Sequence, residues 1–155
     1  MHANAIVFKN PQQLALEALT LPELGHEDIQ IEVEFSGIST GTERLLWDGS
    51  MPPFPGMGYP LVPGYETVGR VVKAGADVPM DIGQRVFVPG ANCFEGVRSL
   101  FGASASQLVT NHSRVMPVSD ALGPKAVLLA LAATAYHAVS MGGKREHIIP
   151  PDLIV

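Results

Sequence analysis

A chain of 155 residues, 46% hydrophobic and 16% charged, is long enough for one domain with its own core and too apolar to be disordered. Its net charge of -5 is spread without a basic run, which argues against a nucleic acid as the main partner. A single cysteine, Cys93, excludes an internal disulfide and a cysteine-rich zinc cluster.

The first residues lack the charged-then-apolar pattern of a signal peptide. The most apolar run, Ala126 to Val139, is interrupted by Thr134, Tyr136 and His137 and falls short of the about 20 residues a membrane span requires. The reading is a soluble, cytoplasmic protein without a membrane span.

In chain order, Ala3 to Phe8 and Leu14 to Leu19 read as strands joined by a turn at Lys9-Asn10-Pro11. Ile29 to Ser36 alternates apolar and polar residues over Ile29, Ile31, Val33 and Phe35, which predicts a half-buried strand with its glutamates in water. A turn from Gly37 leads to a short helix around Thr42 to Trp47. Thr42 is its expected N-cap, and Glu43 suits the positive helix end. Asp48 to Gly64 is a long loop with five prolines and four glycines. Strands follow at Thr67 to Lys73, Arg85 to Val88, Ser106 to Thr110 and Val115 to Val118. Short strands at this spacing predict a partly open barrel, mainly β with short helices.

Pro124 to Ser140 then reads as a helix with proline in its first turn and Gly142-Gly143 as its stop. It is apolar on nearly every face, which predicts burial between layers or domains. After a polar stretch, Pro150 to Val155 reads as the start of a parallel strand. The division is residues 1–143 for the barrel domain with its helix at about 124–140, and 144–155 for a linker and a first-strand stub.

Several short motifs stand in one order: Gly37-Ile38-Ser39 with Gly41-Thr42-Glu43, then Gly64-Tyr65-Glu66, then Val68-Gly69-Arg70-Val71-Val72, then Gly83-Gln84-Arg85-Val86, and Thr134-Ala135-Tyr136-His137-Ala138 in the late helix. In this order they resemble the N-terminal GroES-like catalytic domain of the medium-chain dehydrogenase/reductase superfamily, over the whole chain. Glu34 to Trp47, Pro60 to Glu66 and Leu128 to His137 resemble more narrowly the bacteriochlorophyllide dehydrogenases within it.

That resemblance implies NAD-dependent oxidation of a 3-(1-hydroxyethyl) group on a (bacterio)chlorophyllide to 3-acetyl, with a chlorin pigment as substrate. It also implies a Rossmann domain beyond the late helix. No G-x-G-x-x-G follows a strand here, since Gly56-Met57-Gly58 is a loop. The main NAD site is therefore expected outside this chain, with Thr134 as a minor contact, and the chain alone is expected to be inactive. An oligomer of the full-length protein is left open.

In zinc-dependent members the two glycine-flanked motifs supply a cysteine and a His-Glu pair. The matching residues here are Ser39, Tyr65 and Glu66. A serine hydroxyl is a poor zinc ligand and a phenol keeps its proton near neutral pH, so no zinc or other metal is expected. Alcohol oxidation must still remove a hydroxyl proton, and without a metal preorganised hydrogen bonds do this. Tyr65 is the expected group at the substrate oxygen, with Glu66, Ser39 or Thr42 orienting it or relaying the proton. Thr40, Trp47, Phe54, Met57, Tyr59, Asn92 and Arg98 are the expected substrate contacts, Arg98 through a carboxylate.

Plainer readings stand beside these. Glu66 can serve as an acceptor for backbone N–H groups, Tyr65 as a packing ring, and the 48–64 loop as a cover over one end of the barrel. Two other functions stay open: a zinc-independent quinone or enoyl reductase using NADPH, and a GroES-like binding module without chemistry, since co-chaperonins share the barrel.

Overall fold

The computed structural model describes residues 1–99 and 101–140; the expected stub at 144–155 lies outside them. Strand β1 (His2–Asn10) pairs antiparallel with β2 (Gln13–Thr20), Ala3 opposite Leu19 and Val7 opposite Ala15. The five other strands are β3 (Asp28–Ser36), β4 (Thr67–Ala74), β5 (Arg85–Val88), β6 (Gln107–Asn111) and β7 (Met116–Pro117). They form an antiparallel sheet in the order β6-β3-β4-β5-β7.

Backbone bonds fasten the hairpin to this sheet. Ile6 N donates to Ser104 O (3.0 Å), Ser106 N to Asn4 O (2.8 Å), and Phe8 and Leu61 exchange two bonds of 2.8 and 2.9 Å. The sheets curl around one core without closing, as the strand spacing predicts. Ala5, Val7, Ile29, Ile31, Val62, Val71, Val86 and Leu108 are fully buried there. Burying each of the Val, Ile and Leu side chains contributes about 1.5–3 kcal/mol.

The alternation expected along β3 stops short of the strand's end. Val33 faces Gly69 but Phe35 faces Val68, so β3 carries one extra residue, Glu34. The bulge reverses the faces that follow it, and Phe35 stands 43% exposed. A second register shift lies between Gln30 and Ile31. Gln30 is buried with its amide donating to Gln107 Oε1 (2.8 Å).

Helix α1 spans Thr42–Asp48. The late helix differs from expectation. A 3₁₀ segment runs Asp120–Leu128, broken at Gly123 (φ 52°, ψ −141°), and α2 begins only at Leu129 and runs to Ser140. The residue before a proline is driven out of the α region, so Gly123-Pro124 halts the helical geometry that the apolar pattern suggests. Ser119 caps the segment, its Oγ accepting from Ala121 N (3.2 Å).

Within this chain the barrel covers only the start of α2. Ala126 packs with Val68 and Phe87, and Leu129 and Ala130 lie against them. Residues 131–138 are exposed, Leu131 at 53% and Tyr136 at 68%. Apolar pattern alone could not reveal this, because within the described chain the barrel reaches only the first turn of α2. Among the described residues no helix is long and apolar enough to cross a membrane.

Candidate active site

The turn after β3 is built around Ser39. Its Oγ accepts from Thr42 N (3.3 Å) and its carbonyl accepts from Glu43 N (3.0 Å). Gly41 already has helical angles, φ −84° and ψ −63°. Helical geometry thus starts ahead of Thr42, and Ser39 performs the capping that the sequence assigns to Thr42. Thr42 itself is half-buried and Thr40 exposed.

Glu43 is not the solvated helix-end charge its position suggests. It is 8% exposed, and its Oε2 has no hydrogen-bond partner. Burial pushes its carboxyl above the ordinary range, the backbone N–H groups of Glu43 and Ser39 oppose this, and the charge of Glu66 adds to it.

The second turn separates its two functional residues. Gly64 sits at φ +100°, and a Cβ there would lie 2.9 Å from the Ser104 backbone nitrogen. Only glycine fits that conformation and that approach. Glu66 points inward, 5% exposed, with Oε1 unpartnered. Its carbonyl accepts from Gly37 N (2.6 Å), and its carboxylate fills the space where a Gly37 Cβ would be, 2.8 Å from Glu66 Cβ. Gly37 therefore joins the two motifs, and Ser39, Glu43 and Glu66 come together. An unsatisfied buried carboxylate oxygen costs about 1–3 kcal/mol or more, and here there are two.

Tyr65 points the other way, into an apolar cleft of about 540 Å³. Phe87, Pro89, Arg114, Met116, Leu129 and Tyr136 line it with Tyr65. The Tyr65 ring stands edge-on to Phe101 (5.8 Å, 64°), and Phe101 lies 6.3 Å from Phe54. This row of three rings fixes Tyr65 at the cleft wall.

The other expected contacts are dispersed. Ser39, Thr40 and Trp47 line a second apolar groove of about 450 Å³ with Phe8 and Ile38, where Trp47 stands edge-on to Phe8 (5.8 Å). Met57 and Tyr59 pack on the Phe8, Leu46, Leu61 cluster, and the Tyr59 hydroxyl donates to Leu46 O. That part of the 48–64 loop thus covers one end of the barrel. Asn92 and Arg98 share a third cleft of about 220 Å³ with Gly56, Val97 and Ser99, and Ser99 Oγ donates to Asn92 Oδ1 (2.6 Å). Thr134 is exposed on α2, its hydroxyl donating to Ala130 O (3.0 Å).

Three residues escape a sequence reading. Phe101 lies in a loop with no motif, Arg114 looks like any turn cation, and the burial of Glu43 depends on contact with a turn over twenty residues away.

Residues 25–120 match the family model of the alcohol dehydrogenase GroES-like domain. The chain belongs to this family. Within it, two relatives match over the whole of this chain. Both are named 2-desacetyl-2-hydroxyethyl bacteriochlorophyllide A dehydrogenase. The one from Rhodobacter capsulatus is 50% identical, with 48% of its length covered. The one from Cereibacter sphaeroides is 49% identical, with 49% covered. The chain thus spans about half the length of the curated relatives it matches. A cinnamyl alcohol dehydrogenase from Sorghum bicolor shares the fold, with a TM-score of 0.75 at 20% identity, over 92% of this chain and 48% of that one.

Proposed function

We propose that this chain is the catalytic domain of a zinc-independent, NAD-dependent alcohol dehydrogenase. It oxidises the 1-hydroxyethyl side chain of a (bacterio)chlorophyllide to an acetyl group. The observation that carries this is Tyr65, a phenol set in the wall of an apolar cleft, at the position that the resemblance matches to a metal ligand of zinc-dependent members. The whole-chain identity to two bacteriochlorophyllide dehydrogenases supports the substrate class.

A zinc ion does not suit the donors present. The Ser39 hydroxyl is engaged in capping α1, the Tyr65 side chain is a phenol, and Glu66 supplies one carboxylate. The protein's part is then hydrogen bonding. The cleft takes the flat apolar face of the pigment, with its hydroxyethyl group toward Tyr65. The phenol holds the substrate oxygen as its proton leaves to water at the open cleft, and Glu66, Glu43, Ser39 and Thr42, which lie behind the Tyr65 turn and outside this cleft, are proposed to position that turn. A nicotinamide dinucleotide, when bound, accepts the hydrogen that leaves carbon with its electron pair. Thr134 is the residue of this chain proposed to touch it.

The test is a substrate panel on the full-length protein, purified in the presence of a zinc chelator. The expected result is NAD-dependent conversion of a hydroxyethyl chlorin to the acetyl product, followed by pigment absorbance. Reduction of quinones or enoyl thioesters by NADPH, with no acetyl product, would assign the other branch of the superfamily.

A further inference from the structure

Among the described residues, the Tyr65 cleft is apolar save for two phenols, the Ser113 hydroxyl and one cation, Arg114. Arg114 ends a short 3₁₀ turn, His112–Arg114, whose geometry is fixed on both sides. Asn111 Oδ1 accepts from both Ser113 N (3.0 Å) and Ser113 Oγ (2.7 Å), and Val115 packs against the main core. The backbone that carries the side chain is thereby held, and Arg114 itself is exposed.

The arginines of the barrel sheet are already engaged. Arg70 bonds Glu34 and Asp120, and Arg85 bonds Glu34. No ion pair to a described carboxylate occupies Arg114. A guanidinium at the edge of an apolar cleft, in a chain of net charge -5, is suited to a ligand that is flat and apolar over most of its surface and anionic at one edge. Arg98, where the sequence places a carboxylate contact, lies at a different cleft.

We propose that Arg114 binds the free carboxylate of the chlorin substrate at the rim of the Tyr65 cleft, and so selects the free-acid pigment over its ester. The proposal rests on the dehydrogenase reading above. A tetrapyrrole ring fills the apolar wall, and its propionate takes two N–H bonds from the guanidinium. Esterification removes the charge and leaves the ring unchanged, so the ester isolates the contribution of Arg114.

The experiment uses the full-length protein and a 3-(1-hydroxyethyl) chlorin as free acid and as methyl ester, with affinity read by fluorescence quenching. Wild type should bind the acid about tenfold or more tightly than the ester, and the ratio should fall as salt rises. In R114Q the two forms should bind within about twofold of each other, and R114K should restore part of the preference. The proposal is overturned by a wild-type ratio near one, which needs no variant, or by an R114Q ratio equal to that of wild type. Turnover of acid and ester at equal KM would defeat this proposal and leave the dehydrogenase reading standing. Failure of wild type to bind or oxidise either pigment would defeat both.

Discussion

Glu34 and Glu66 sit near the same end of the β3–β4 ladder and are finished in opposite ways. Both oxygens of Glu34 are taken: Arg70 Nε donates to Oε1 (2.7 Å) and Arg85 Nε to Oε2 (2.6 Å). Arg85, 4% exposed, also donates to Gly123 O (2.8 Å), and Arg70 to Asp120 (2.7 Å). This network ties the 3₁₀ segment ahead of α2 onto the sheet. Glu66 is as deeply buried as Arg85, yet its Oε1 has no partner, and neither does Oε2 of Glu43. A fold organises its satisfied charges for shape. It tolerates unsatisfied ones where a ligand or a proton is to meet them. This difference is the ground on which Glu66 and Glu43 are proposed as site residues and Glu34 as scaffold.

Four measurements in the full-length protein break or sharpen this contrast, taken from the largest effect down. Glu34→Ala strips Arg85 of its carboxylate and should destabilise the fold by about 3 kcal/mol, read from the denaturation midpoint. A loss under about 1 kcal/mol would mean the network is not structural. Gly37→Ala puts a methyl group into the Glu66 carboxylate. It should cost about 1–3 kcal/mol and lower turnover as well, because the two turns must separate. Glu66→Gln keeps the shape and removes the charge. Turnover should fall by about tenfold or more, with stability held or raised, because the amide removes a buried charge. If it lost stability like Glu34→Ala and kept its turnover, Glu66 would be scaffold.

The smallest effect is a pH slope. Burial, first, and then the Glu66 charge hold the Glu43 carboxyl above its ordinary value near 4.5. The folded state then binds this proton more tightly than the unfolded chain. The resulting stability is complete below the unfolded value and is lost as pH rises through the higher folded value. Glu43→Gln, which mimics the protonated acid, should flatten that slope and raise stability above the window. Urea denaturation at a series of pH values shows this; an unaltered slope in the variant would remove Glu43 from the account.

Local pattern carried most of the fold. Arg85 to Val88 folds as the strand predicted there, and Thr67 to Ala74 runs one residue longer than expected. Where the sequence misled, the cause lies in a specific residue or contact. Gly123-Pro124 delays α2, the Glu34 bulge turns Phe35 outward, and the cover of α2 depends on tertiary contacts that no periodicity encodes. Tyr65 and Glu66 were legible as a pair from the turn. Their opposite directions were not, since these follow from the contacts of Gly64 with Ser104 and of Gly37 with Glu66. Nor was the depth of Glu43, because a Thr-Glu pair at a helix start normally faces water.

The central claim is that Tyr65 works at the substrate oxygen in a site without zinc. Tyr65→Phe tests it most directly, since the ring contact with Phe101 survives and only the hydroxyl is lost. Turnover of the full-length variant on a hydroxyethyl chlorin should fall by about tenfold or more, with little change in pigment affinity. Undiminished turnover in that variant would contradict the account.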